Sequence, residues 1–155
     1  MITKKTQRKI EFGDFQTPLL LARKICSLLD HIGCVPDSVL EPTCGEGNFI
    51  TASLAQFNTL TSALGFEINP EYVSVLAEKF KENAKVQIRQ ADFFDTDWKE
   101  IVKATSDHLL VIGNPPWVTN SGLSVINGDN LPKKNNFQNH SGLEAITGAS
   151  NFDIS

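Results

Sequence analysis

The 155 residues carry a net charge of −4, with 41% hydrophobic and 21% charged side chains, which suits one globular domain able to bury a core. No apolar run is long enough to span a bilayer, and the basic, polar N-terminus is not a secretory signal, so a cytoplasmic protein is expected and a membrane partner is not. The acidic balance also argues against a dedicated DNA-reading domain. Basic clusters occur at Lys4, Lys5, Arg8 and Lys9, and at Lys133-Lys134, and short runs of this kind read as solvated surface.

In chain order, residues 1–12 form a basic, polar arm that ends at Gly13. A helix is predicted from Thr17-Pro18 to about His31, with Leu20, Leu21, Ile25, Leu28 and Leu29 on one face. Thr17 is its expected N-cap and Gly33 its stop. Ser38–Leu40 begins a strand that turns at Pro42-Thr43-Cys44-Gly45, and a helix runs from Asn48 to about Ala55. The alternation repeats with a strand at Ala63–Glu67 and a helix from Pro70 to Lys81. A strand at Val86–Ile88 precedes a helix near Asp97–Lys103, and a strand at Leu109–Ile112 enters Gly113-Asn114. This order implies a doubly wound, mainly parallel α/β sheet. After Trp117 a long loop rich in Gly, Asn and Ser extends to Asn139, and Ser141–Ile146 is a short predicted helix.

Four strands leave such a sheet incomplete, with the later strands absent and Leu109–Ile112 as a hydrophobic edge. The chain is therefore expected to be the N-terminal part of a longer protein, or to complete its sheet with a partner. Cys26, Cys34 and Cys44 lack metal-ligand spacing, and their odd number argues against a disulfide framework, so reduced packing thiols are expected. His31, His108 and His140 are scattered, and no metal site is expected.

Two segments carry chemistry. The first, a turn within residues 39–50, reads Glu41-Pro42-Thr43-Cys44-Gly45-Glu46-Gly47-Asn48-Phe49. Its glycines allow a tight turn and bring backbone amides close to a ligand at a helix N-terminus. Glu67 follows Gly47 by twenty positions, the spacing at which a carboxylate meets ribose hydroxyls. Asp92 could accept from an adenine amine while Phe93 covers the ring. A dinucleotide is disfavoured, because Ile50 stands where a third glycine belongs, and Glu41 and Glu46 suit a cationic ligand better than a pyrophosphate. A sulfonium bearing an ammonium fits this pattern, which favours S-adenosylmethionine.

The second segment, a loop at 113–120, contains Asn114-Pro115-Pro116-Trp117. The prolines stiffen it and free the Asn114 side chain and the Pro115 carbonyl from the sheet ladder. Two oxygens match the two N–H donors of a planar exocyclic amine, and Trp117 offers a face on which a base can stack.

Together these segments resemble the S-adenosylmethionine-dependent amino-methyltransferases that modify N6 of adenine in DNA, of the restriction–modification type. Gly13-Asp14-Phe15-Gln16-Thr17-Pro18 is similar to the family's TP motif, so Thr17 and Pro18 are implied to touch the methionine moiety. Glu41, Pro42, Thr43, Cys44, Gly45, Gly47 and Phe49 match its cofactor turn. Glu67 resembles the ribose-binding acid, Ile68 lies beside the adenine, and Asp92-Phe93 resembles the adenine-binding pair. Asn114, Pro115, Pro116 and Trp117 match the catalytic motif, with Asn114 also near the cofactor.

The resemblance runs from Gly13 to Trp117, about two-thirds of the chain. It implies a Rossmann-like methyltransferase fold, with residues 13–155 as the N-terminal part of the catalytic domain. Thr147–Ile154 looks like the approach to the next family segment. The target-recognition domain has no counterpart, so DNA would be bound through elements beyond this chain, with a restriction or specificity partner as a further expectation. The other readings are an amino-methyltransferase acting on a glutamine side chain or an RNA base, and a non-catalytic cofactor-binding subunit.

Overall fold

Helix α1 spans Leu19–His31, strand β1 Ser38–Glu41, α2 Asn48–Gln56 and β2 Ser62–Glu67. They are followed by α3 at Pro70–Lys79, β3 at Val86–Gln90, α4 at Trp98–Lys103 and β4 at Leu109–Val111. The structure, a computed structural model, describes residues 16–115. The N-terminal arm, Gly13–Phe15, Pro116, Trp117, the loop to Asn139, the helix expected at Ser141–Ile146 and Thr147–Ile154 all lie outside the described residues.

The four strands form one sheet in the order β3-β2-β1-β4, and every pair is parallel. β1 is the strand from which the chain winds outward in both directions. It pairs in register with β2 from Ser38 opposite Ser62, and with β4 from Ser38 opposite Leu109. The ladder continues past β4, where Ile112 N–H donates to the Leu40 carbonyl at 3.0 Å. As expected from the sequence, β4 lies at an edge among the described strands, and Val111 is about half exposed.

Alternation along the strands puts Val39, Ala63, Val86 and Leu110 on one face of the sheet. There they join a core with Ala22 and Cys26 of α1, Phe49, Ile50 and Ala52 of α2, and Leu76 of α3. Residues 38–41 of β1 are buried throughout, as suits the interior strand of a parallel sheet.

The structure corrects the expected buried face of α1. Ala22 and Cys26 are fully buried and Ile25 and Leu29 pack beside them, whereas Leu20 is 68% and Leu28 60% exposed. The stripe at i, i+3, i+4 and i+7 is the one carrying the small side chains. Their size lets α1 approach α2 closely enough for Cys26 Sγ and Ser53 Oγ to meet at 3.6 Å. Thr17 is not the N-cap either. Pro18, with an extended ψ of 139°, holds that position and no side chain caps the helix. The Pro18 carbonyl takes the first helical bonds, from Leu21 and Ala22.

The expected stop at Gly33 is present. At φ 89° it lets the Gly33 N–H reach Asp30 O and the Cys34 N–H reach Leu29 O, the paired bonds of a Schellman ending. Two boundaries shift by two residues. α3 ends at Lys79 rather than Lys81, where the chain turns so that the Asn83 N–H meets Phe80 O. β3 continues to Gln90, because an edge strand can leave Gln87, Arg89 and Gln90 exposed while Val86 and Ile88 face the core.

Candidate cofactor and catalytic site

Because all strands are parallel, their C-terminal ends lie along one rim, and the winding reverses between β1 and β4. Open α/β sheets bind ligands in the crevice at such a reversal. Glu41, Glu67 and Asn114 all follow from this rim, at the end of or just after β1, β2 and β4, and Asp92 follows β3.

The glycine turn between β1 and α2 is held from several sides. The Cys44 N–H donates to Phe66 O at 2.7 Å, and the Gly45 N–H donates to Glu67 Oε2 at 2.8 Å. Gly45 and Gly47 have φ of 49° and 67°, in the left-handed region where glycine is favoured. A Cβ on Gly47 would lie 2.8 Å from Leu76 Cδ2, so the missing side chain also admits α3 against the turn. Gly65 plays a packing part in β2, since a Cβ there would come 2.6 Å from Ile50 Cδ1 and 3.1 Å from Cys44 Sγ.

Glu67 is buried, and its second oxygen accepts from the Asn69 N–H at 2.8 Å. Each carboxylate oxygen thus accepts from one backbone donor, while a carboxylate has about four acceptor positions. Glu41 shares the Val39 face of β1 and therefore reaches under the turn, where Oε2 accepts from the Ile50 N–H at 3.1 Å. It is 3% exposed. Burial pushes its carboxyl up to about 8; the bond from Ile50 opposes this and the nearby Glu67 charge adds to it. Burial, with the charges of Glu41 and Glu67, also pushes the Cys44 thiol far above its ordinary range. Glu46, by contrast, is exposed.

The N-terminal segment lies on this turn. Gln16 Oε1 accepts from the Glu46 N–H at 2.9 Å, and Asn48 Nδ2 donates to the Thr17 carbonyl at 3.0 Å. The space that a Cβ on Gly45 would need is filled by the Gln16 amide. On the far side, Thr43 Oγ1 donates to the Asn114 carbonyl at 3.1 Å. A Cβ on Gly113 would meet Pro42 and Glu41 at ordinary contact distance. Asn114 is half-buried and Pro115 exposed.

At the β3 end, the Ala91 N–H donates to the Glu67 carbonyl at 3.0 Å, and Gln90 Nε2 donates to Ile68 O at 3.3 Å. These bonds set Ile68 and Asp92 on neighbouring stretches of backbone. Asp92 Oδ1 accepts from the Phe94 N–H at 2.9 Å. The turn is backed by aromatic side chains: Trp98 Nε1 donates to Phe93 O at 2.8 Å, and its ring meets Phe93 at 5.3 Å and Phe66 at 5.1 Å.

The structure thus gathers Thr17, Pro18, Glu41, Pro42, Thr43, Cys44, Gly45, Gly47, Phe49, Glu67, Ile68, Asp92, Phe93, Asn114 and Pro115 along one rim and its adjoining turns. Pro116 and Trp117 lie outside the described residues. The sequence reading gave no individual role to Gln16 or Trp98. Both act through backbone groups of the turns, and no spacing rule marks such a contact; only the aromatic run Phe93-Phe94…Trp98 hints at one. No group of three or more metal-ligating side chains occurs among the described residues, and no described helix is long and apolar enough to cross a membrane.

Sheet order and glycine turn define a Rossmann-like α/β fold. A Pyrococcus horikoshii crystal structure, provisionally described as an RNA methyltransferase, shares that fold with a TM-score of 0.54 and 22% identity, covering 70% of this chain and 51% of the other. The chain is 51% identical to Type II methyltransferase M.NspV of Nostoc sp. across 100% of its own residues and 33% of that protein. Modification methylase CviBIII of Paramecium bursaria Chlorella virus NC1A is 30% identical over 72% of this chain and 28% of the relative. The chain therefore spans about one third of the length of these relatives. No protein-family model matches it.

Proposed function

We propose that this chain carries the cofactor-binding and catalytic residues of a type II modification methyltransferase that moves a methyl group from S-adenosylmethionine to the exocyclic amine of adenine in DNA. The observation that carries this reading is the bond from Thr43 Oγ1 to the Asn114 carbonyl. It anchors the Asn-Pro segment on the glycine turn, in a chain half identical to a type II methyltransferase.

In this reading the free acceptor positions of Glu67 take the ribose hydroxyls, since a cis-diol offers two donors to one carboxylate. Asp92 accepts from the adenine amine of the cofactor, with Phe93 and Ile68 against the ring. Thr17 and Pro18 lie over the turn formed by Pro42, Thr43, Cys44, Gly45, Gly47 and Phe49, at the methionine end. The exposed Glu46 makes that end acidic, matching an ammonium and a sulfonium, while burial keeps Glu41, beneath the turn, from ionising. When bound, the cofactor supplies an electrophilic methyl group.

The acceptor side belongs to Asn114, Pro115, Pro116 and Trp117. An aryl amine is a poor nucleophile because its lone pair is delocalised into the ring. The Asn114 side-chain oxygen and the Pro115 carbonyl would accept its two hydrogens, favouring a pyramidal nitrogen aimed at the methyl group. Pro116 stiffens the loop and Trp117 stacks on the base. A general base is not needed, because the proton leaves once the nitrogen has become cationic.

Incubating the full-length protein with methyl-labelled S-adenosylmethionine and DNA, RNA or protein tests the proposal. Label is expected in DNA, recovered after digestion as N6-methyladenine. Label confined to protein or RNA would transfer the same amine chemistry to another acceptor. Absence of cofactor binding at millimolar concentration would remove the reading altogether.

A further inference from the structure

The turn that follows β3 is held by a side chain outside the proposed ligand contacts. Asp92 and Phe93 are neighbours on an irregular stretch between β3 and α4, where no ladder fixes the backbone. Local bonds replace it. Asp92 Oδ1 takes the Phe94 N–H at 2.9 Å, and the Thr96 hydroxyl donates to the Asp92 carbonyl. Trp98 closes the loop from α4: its indole N–H donates to the Phe93 carbonyl at 2.8 Å, while its ring lies 5.3 Å from the Phe93 ring at 40°. The same indole meets Phe66 nearly edge-on at 5.1 Å and 76°, a preferred aromatic arrangement. Phe66 is buried in β2 next to Glu67, and the Arg89 guanidinium lies 5.8 Å from its ring. Trp98 therefore ties the Asp92–Phe93 turn to the strand that carries Glu67.

Resting on the cofactor reading above, we propose that Trp98 is a positioning residue for purine selection, holding Asp92 and Phe93 where they distinguish adenine from other bases while acting only through them. The indole is bonded to the backbone of one member of the pair and packed against that member's ring. Its loss would free the turn to pivot on residues 92–94, and the carboxylate would no longer be aimed at a fixed donor. A hydrogen bond with an exposed, mobile acceptor contributes little, whereas a pre-aimed one contributes its full worth.

The test compares binding of S-adenosylhomocysteine and S-inosylhomocysteine, which differ in the amine that Asp92 would accept, to the full chain and its Trp98 variants. Wild type should prefer the adenine ligand by about tenfold, the worth of one good hydrogen bond. Trp98→Ala should cut that preference to about twofold, and Trp98→Phe, which keeps a ring and loses the N–H, to about threefold to fivefold. General destabilisation would weaken both ligands alike and leave their ratio unchanged. If Trp98→Ala does not fold, Trp98→Phe decides. A preference that survives both substitutions, or survives Trp98→Phe alone where only that variant folds, overturns the positioning role and leaves the cofactor reading standing. A wild type that binds neither ligand overturns the cofactor reading itself, and this role with it.

Discussion

The two ends of β1 each carry an acid, and the fold treats them in opposite ways. At the N-terminal end, the Ser106 hydroxyl donates to Asp37 Oδ2 at 2.6 Å and, with Ser38 and His108 nearby, holds this carboxyl below its ordinary range. At the C-terminal end, burial lifts the carboxyl of Glu41 to about 8. One acid is preferred as an anion in the folded chain, while the other is kept from ionising. The unfavourable environment is at the end where parallel sheets bind ligands, and perturbed groups concentrate at such sites. The stabilised acid is at the opposite end, where it joins β1 to the loop before β4. The comparison separates residues that hold the sheet together from residues that prepare its rim.

The largest expected effect breaks the rim alone. Asn114→Ala in the full-length protein should lower turnover by on the order of 100-fold or more, the usual loss for a group aligned on the reacting atom. S-adenosylmethionine affinity should change little, as titration will show; equal losses in both would make Asn114 structural.

Glu41→Gln sharpens the contrast. Burial pushes the native carboxyl up to about 8 from its ordinary 4.5. Its stabilising contribution is therefore complete below about pH 4.5 and is lost as pH rises toward 8. The Gln variant lacks this loss, so near pH 8 it should be the more stable of the two by on the order of 2–4 kcal/mol. Denaturant melts at pH 5 and pH 8 read the gap, which should shrink at the lower pH.

Asp37→Asn tests the other end with the opposite sign. A depressed carboxyl stabilises the fold above its unfolded pKa, and that contribution is lost as pH falls through the native value. The variant should melt a few degrees lower at pH 7, the difference should vanish in acid, and cofactor affinity should be unaffected. A change in affinity would show that the two ends are coupled.

The smallest effect concerns the thiols. Burial raises Cys26 and Cys44 while Cys34 is only partly buried, so native alkylation followed by mass spectrometry should label Cys34 first. Fast labelling of Cys44 would mean that the glycine turn opens.

Most of the fold is legible in the chain order of its apolar runs, because a parallel α/β sheet turns each buried strand into a short continuous run and each crossover into an amphipathic helix. All four strands and the first four helices lie within a few residues of their expected places. The exceptions have local causes: of the expected face of α1 only Ile25 and Leu29 pack on the core, because the small Ala22 and Cys26 beside them make the close contact with α2 and leave Leu20, Leu21 and Leu28 exposed. Thr17 looked like a cap, but the Asn48 side chain holds its carbonyl and Pro18 begins the helix.

What the sequence by itself determined was the kind of sheet, the placement of a glycine turn after its first strand, and the acids that end the second strand and follow the third. These depend on periodicity and on residue types that only certain backbone conformations tolerate. Tertiary structure alone decided that Glu41 turns beneath the glycine turn, that Thr43 holds the Asn114 carbonyl across 71 positions of chain, and that Trp98 braces Phe93. Such contacts depend on which strand lies beside which and on the face each side chain takes. Both are set by packing between segments distant in sequence, where no local pattern records them.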